Sequence, residues 1–219
     1  MCINKKPMKK IFLIIFDLLF PRRQNDAAIA DISPADFYQK IPRWSNNEIF
    51  PIMRAIFRYK NRIAKAMIKE LKSSESKHAA RIAAYALANH FEENHIRNAI
   101  LIPIPISKKR RKKRGYNQCE FILDFFMKEM QARGCKTTFI VRNDILERPI
   151  DAPKSALKDR AGRLKAAEGI FRTTRTPLNI WERIIVVDDV ITTGSTMHSA
   201  IATLRAAGTQ DVSGVGIAH

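Results

Sequence analysis

Ile184 to Thr196 reads IIVVDDVITTGST: an apolar run, two carboxylates, two more apolar residues, then a loop of hydroxyls with one glycine. The two halves suit different chemistry. Carboxylates accept hydrogen bonds from hydroxyl groups and repel phosphate, whereas hydroxyls and backbone N–H groups welcome phosphate. Asp188 and Asp189 are therefore candidates for holding ligand hydroxyls, and Thr192, Thr193, Gly194, Ser195 and Thr196 for holding an anion. Ile184 to Val187 is a β-branched apolar run of the kind that forms a buried strand, predicted to end at the two aspartates. Met197, Ile201 and Leu204 then recur at helical spacing, so the loop opens a helix whose first turn carries unpaired N–H donors and a partial positive charge. Ligands of open α/β sheets bind beyond the carboxyl ends of strands, which is where this loop falls. The plainer reading is a buried strand ending in Asp-Asp and a helix capped in the ordinary way at Thr196.

A second stretch with chemical character lies between Pro103 and Gln118, PIPISKKRRKKRGYNQ, with consecutive cations from Lys108 to Arg114. Like charges at this density repel, so the run is predicted to be a solvated loop. Because it starts directly after a predicted strand, it can reach over the same sheet edge as Asp188 and Thr192. Tyr116 beside Arg114, and Tyr59 beside Arg58 and Lys60, are candidate platforms for stacking bases of a single-stranded nucleic acid. His198, just past the hydroxyl loop, reads as structural, and no general base is identified.

These elements need a scaffold. A chain of 219 residues with 46% hydrophobic residues can build one substantial α/β domain with a helical extension. A net charge of +18 and a pI near 10.2 call for an anionic partner, whether phosphate ligand, nucleic acid or membrane surface. Cys2, Cys119 and Cys135 have no paired spacing, which excludes a disulfide framework or an all-cysteine zinc site and points to the cytoplasm. Ile11, Ile14, Ile15, Leu18 and Leu19 predict a short amphipathic helix. Asp17 interrupts this stretch, and about ten residues are too few for a membrane span, which takes ~20. No integral membrane segment is expected.

Residues 22–50 read as an irregular connector, so the chain divides into 1–50, amphipathic helix and connector, and 51–219, the main domain. Within the latter, the pattern predicts helices over Pro51 to Leu71, Lys77 to Glu92, from an Asn117 cap towards Gly134, and from the hydroxyl loop to Ala207. It predicts strands at Ala99 to Ile106, Thr138 to Arg142, Ile184 to Val187 and Val212 to Ala218. Glu147 to Arg163 reads as a loop running into a short helix. Alternation of this kind predicts a mainly parallel sheet flanked by helices.

The run Ile184 to Thr196 resembles the phosphoribosyl diphosphate (PRPP) signature of the type I phosphoribosyltransferases. Pro103-Ile104-Pro105, the basic stretch and Arg114-Gly115-Tyr116-Asn117-Gln118 narrow the resemblance to the ComF family, phosphoribosyltransferase-like proteins linked to bacterial DNA uptake and including GntX-type members. FDLLFP at Phe16 to Pro21, Phe57 with Tyr59 and Lys60, the Arg160, Arg163, Gly169 and Phe171 pattern, and LRAAGTQDV ending at Val212 agree in order.

The resemblance implies a type I phosphoribosyltransferase (Rossmann-like) fold that binds PRPP or a related ribose 5-phosphate ligand with Mg²⁺. In this scheme Asp188 and Asp189 hold the ribose hydroxyls and Thr192, Thr193, Gly194, Ser195 and Thr196 wrap the 5′-phosphate. The loop after the first strand of the domain, with Ser107, Lys108, Lys109 and Arg114, approaches the diphosphate, and a flexible loop carrying Arg148, Arg160 and Arg163 closes over the site. Transfer of the phosphoribosyl group to a nitrogen acceptor, in the service of DNA uptake, is the implied activity. The alternative is a non-catalytic competence protein that binds single-stranded DNA on its basic surface.

Two departures stand out. Arg22, Arg23, Gln24, Asn25 and Asp26 occupy the place where many ComF proteins carry a cysteine-paired zinc ribbon, so no zinc is expected. Lys154 and Ala166 stand where the family often has glutamine and asparagine, which points to altered acceptor chemistry or none.

Overall fold

The structure, a computed structural model, describes residues 29–44, 52–73, 75–134, 136, 138–149, 169–174 and 182–219. The amphipathic helix expected within 1–20, and Arg160 and Arg163, lie outside them. The described elements run α1 (Pro34–Lys40), β1 (Met53–Phe57), α2 (Arg62–Ser73), α3 (Lys77–Glu93), β2 (Asn98–Pro103), α4 (Lys108–Arg114), α5 (Gln118–Ala132), β3 (Thr138–Val141), β4 (Leu146–Glu147), β5 (Arg172–Thr173), β6 (Ile184–Val190), α6 (Ser195–Ala206) and β7 (Val212–Ala218).

β1, β7, β6, β2 and β3 form one sheet in that order, every pairing parallel. The expectation of a mainly parallel sheet flanked by helices holds. Parallel strands covered on both faces must be apolar on both sides, and β6 and β2 show it. Successive side chains of a strand point to opposite faces. Ile185 and Val187, with Ala99 and Leu101, join Phe37, Phe57, Phe91 and Phe126 in the core under α1, α2, α3 and α5. Ile184 and Val186, with Ile100 and Ile102, join Met197, Ile201 and Leu204 of α6 in the core on the other face. β6, whose residues Ile184 to Val187 are apolar throughout, thus becomes a central strand.

Four expectations are corrected. The helix predicted from Pro51 begins only at Arg62: Met53–Phe57 is an edge strand paired with β7, because burying Met53, Ala55, Ile56 and Phe57 in the sheet outweighs a helical periodicity carried mainly by later residues. The basic run is not a loop but the helix α4. Lysine and arginine are good helix formers, Ser107 accepts from the Arg110 N–H at its N-terminus, and Gly115 (φ 87°) closes it in the left-handed region. The connector holds a helix as well, since Ser33 caps α1, Pro34 suits its first turn, and Phe37 and Tyr38 are buried. Finally, β6 runs through both aspartates to Val190, as Asp188 and Val190 pair with Gly216 and Ala218 of β7. The stretch expected to be a loop from Glu147 shares its first residue with a short strand, β4, antiparallel to β5.

Gly216 is where β7 passes closest to the segment leaving β6. A Cβ there would lie 2.6 Å from Cγ1 of Ile191, a stiff β-branched side chain that cannot swing aside. Gly216→Ala is expected to cost about 1–3 kcal/mol of folding stability. Urea unfolding would measure this, and a neutral result would show that the Ile191 loop yields.

Candidate functional site

The carboxyl edge of β6 gathers the signature residues. Val190 and Ile191 carry the chain out of the sheet, and Gly194 turns it at φ 75° into α6, leaving that helix without a side-chain cap. The first turn of α6 contains no acidic residue, so its N–H groups and partial positive charge stay open to an anion. Thr193 Oγ1 and Ser195 Oγ lie 2.9 Å apart, and Gly194 and Ser195 are buried. His198, beyond this loop, is exposed.

Asp188 and Asp189 are both buried. The Asp189 amide donates to Asp188 Oδ1 at 2.8 Å, and the Cys119 thiol lies 3.7 Å from the same oxygen. Burial, then repulsion from Asp189, raises the Asp188 carboxyl to about 7, against opposition from Lys72. Burial also lifts the Cys119 thiol well above its ordinary value. Lys72, in the last turn of α2, places Nζ 3.0 Å from Asp189 Oδ2. Burial disfavours the charged ammonium, but Asp189 and Asp188 outweigh it and hold the lysine above its ordinary value. The acid pair thus has a built-in cation. No local signal in the sequence marks Lys72, because its partner belongs to a distant strand.

Ser107 is buried as the cap of α4, while Lys108 and Lys109 point to solvent. Arg114 donates to Gln118 Oε1, and Arg111 pairs with Glu120. Arg148 is buried, its guanidinium 5.6 Å over the Phe171 ring. Tyr116 is not an open stacking platform. Its hydroxyl donates to the Leu71 carbonyl and accepts from the Glu75 N–H at 2.9 Å, and its ring packs edge-on to Phe121 at 5.9 Å.

Tyr59 does face open space. With Trp44, Arg58, Lys60, His219 and the β6 edge (Val190, Ile191, Thr192), it lines a cleft of about 660 Å³ beside the hydroxyl loop. Trp44 stacks on His219 at 4.1 Å and 14°, and burial keeps the imidazole below its ordinary pKa. Trp44 and His219 escaped sequence reading because neither sits in a motif. Another hollow, about 520 Å³, lies at the opposite, amino end of the strands among Asn98, Thr138 and Arg183 and contains none of the candidate residues.

A buried acid pair on a central parallel strand is thus followed by a Thr-Gly-Ser helix start without a side-chain cap. Among solved structures the chain is similar to a hypoxanthine phosphoribosyltransferase from Staphylococcus aureus (8% identity, TM-score 0.38, covering 63% of this chain and 61% of that one). It is also similar to the hypoxanthine-guanine phosphoribosyltransferase of Schistosoma mansoni in complex with IMP (13%, TM-score 0.33, 71% and 64%).

Among curated proteins it is similar to Competence protein F of Haemophilus influenzae, 29% identical over 121 residues, and to Competence protein ComFC of Bacillus subtilis, 31% identical over 108 residues. These matches take in 54% and 46% of this chain, but only 49% and 36% of the relatives' own lengths. No family model matches the chain. Both curated relatives are competence proteins. Among the described residues, no helix is long and apolar enough to cross a membrane.

Proposed function

We propose that the carboxyl edge of β6 binds PRPP or a related ribose 5-phosphate ligand and passes its phosphoribosyl group to a nitrogen acceptor. One observation carries the reading: a buried carboxylate pair and an uncapped, hydroxyl-rich helix start sit on one strand end, offering opposite chemistries to the two ends of one ligand. Thr192, Thr193, Gly194, Ser195 and Thr196 take the 5′-phosphate; Asp188 and Asp189 take the ribose hydroxyls. Ser107, Lys108, Lys109 and Arg114 face the diphosphate, and Arg148, Arg160 and Arg163 belong to the covering loop. Mg²⁺ suits this donor set, because it takes carboxylate and phosphate oxygens and keeps several waters. When bound, it would neutralise charge on the diphosphate.

The cleft of Trp44, Tyr59, Val190 and Ile191 suits a flat nitrogenous acceptor. In the transfer, the acceptor nitrogen bonds to the anomeric carbon as the carbon–oxygen bond to diphosphate breaks. The electron pair departs with the diphosphate and the acceptor's proton passes to solvent. Holding the partners in line supplies most of the acceleration. The test is thermal stability with Mg-PRPP across a panel of nitrogenous acceptors, with diphosphate release as the readout of turnover.

A second reading, single-stranded DNA binding in the service of uptake, is supported by α4, whose cations leave no residue buried, and by the similarity to two competence proteins. Replacing Lys108, Lys109, Lys112 and Lys113 by glutamine is then expected to weaken oligonucleotide binding at least about tenfold and flatten its salt dependence. Unchanged affinity would remove α4 from any DNA path.

A further inference from the structure

Resting on the PRPP reading, we infer that Lys72 is an additional ligand-binding residue that engages the diphosphate end of the ligand, and that Tyr116 positions it. The ammonium lies at a boundary: Asp189 is 5% exposed at its side chain, whereas Lys72 is 36% exposed. It therefore spans the buried carboxylate and the solvent from which a ligand arrives. An ammonium has three N–H donors in a rotatable cluster, and the ion pair with Asp189 uses one of them. Two adjacent carboxylates on their own repel an anionic ligand; a lysine seated on them offsets part of that charge and presents an ammonium at that end of the site.

The last turn of a helix is ordinarily its loosest part, because its carbonyls lack partners within the helix. Here it is clamped on both sides of Lys72. The Tyr116 hydroxyl donates to the Leu71 carbonyl and accepts from the Glu75 N–H, so one side chain bridges the residues flanking the lysine. Glu75 sits at φ 50°, a conformation that non-glycine residues adopt at a cost and that this bridge helps hold.

Tyr116 is itself fixed by its neighbours. Asn117 donates to the Ile104 carbonyl at 2.9 Å and accepts from the Cys119 N–H at 3.0 Å, and Cys119 reaches Asp188. A single segment, Gly115 to Cys119, thereby ties the end of α2 to the chain leaving β2 and to the acid pair. Through Tyr116 and Asn117, Lys72 is tied to the chain leaving β2, the stretch that carries Ser107 and Lys108, and not to the 5′-phosphate loop that follows β6. That placement assigns it to the diphosphate.

Calorimetric titration of PRPP and of ribose 5-phosphate, each with Mg²⁺, tests the assignment, because the two ligands differ by the diphosphate. Lys72→Met is expected to weaken PRPP about tenfold or more and ribose 5-phosphate less than about threefold. Lys72→Arg should recover most of the PRPP affinity, and Tyr116→Phe should weaken PRPP selectively while leaving the carboxylates in place. Should Lys72→Met fail to fold, Lys72→Gln and Tyr116→Phe carry the same comparison. Equal losses for both ligands, or no loss, would overturn the assignment and leave the PRPP reading standing. Wild-type protein that binds neither ligand would overturn both.

Discussion

Replacing Asp188 and Asp189 together by asparagine is expected to abolish the thermal stabilisation that Mg-PRPP gives the wild-type protein. A ligand present at a hundred times its dissociation constant stabilises the folded state by about 2.7 kcal/mol. In a chain of this size that raises the melting temperature by roughly 5–10 °C. At pH 8, above the Asp188 value, each carboxylate-to-hydroxyl hydrogen bond is charge-assisted and worth about 1.5–3 kcal/mol, so losing two reduces affinity by two or more orders of magnitude. Asparagine keeps the size and one acceptor oxygen of aspartate, so the buried strand end should survive the exchange. The variant is therefore expected to melt at the same temperature with and without ligand. No shift in the wild type at millimolar Mg-PRPP would overturn the binding reading, and a full shift in the variant would move the ribose hydroxyls away from β6.

The second large effect concerns folding. Asp188 has its carboxyl raised from 3.8 to about 7, because burial and the neighbouring Asp189 disfavour its charge. A carboxyl whose folded-state pKa is raised binds its proton more tightly in the folded protein than in the unfolded chain. Its neutral form therefore favours folding below the unfolded value, and that advantage is lost as pH climbs towards 7. The gap corresponds to an amount on the order of 4 kcal/mol. Asp188→Asn removes the titration while keeping a neutral group of the same shape. Compared by chemical denaturation, the variant and the wild type should be similar near pH 4, with the variant increasingly the more stable towards pH 8. Lys72 keeps its partner Asp189 in this variant, so no cation is left unpaired. A wild type that gains stability over the variant with rising pH would mean that the strand end favours the Asp188 carboxylate.

The two experiments together separate a binding role from its folding cost.

Much of this was legible along the chain. Unbroken apolar runs in β6 and β2, the hydroxyl-and-glycine turn before α6, the Asn117 cap of α5 and the terminal strand β7 are local patterns. The interactions that produce them join residues near each other in sequence. Asp188, Asp189 and Thr192 to Thr196 were accessible for the same reason: strand, turn and helix start form one continuous stretch whose chemistry changes from carboxylate to hydroxyl within a few residues.

What remained hidden depends on partners that folding brings from elsewhere. Met53–Phe57 is a strand because β7 offers it an edge, and its own periodicity runs into that of α2. The cations of α4 look like a solvated loop until the Ser107 cap and the Gly115 turn are counted with their helix propensity. Tyr116 looks like an exposed ring beside an arginine, but in the fold its hydroxyl closes the end of α2. The sequence by itself determined the layers of the fold and the acid-plus-hydroxyl strand end, since hydrophobic period and turn chemistry are properties of short windows. That Lys72 sits on the acid pair, and that Trp44, Tyr59 and His219 wall the adjoining cleft, follows from the folded chain alone. Charge pairing and cavity shape arise from distance in space, which sequence separation does not encode.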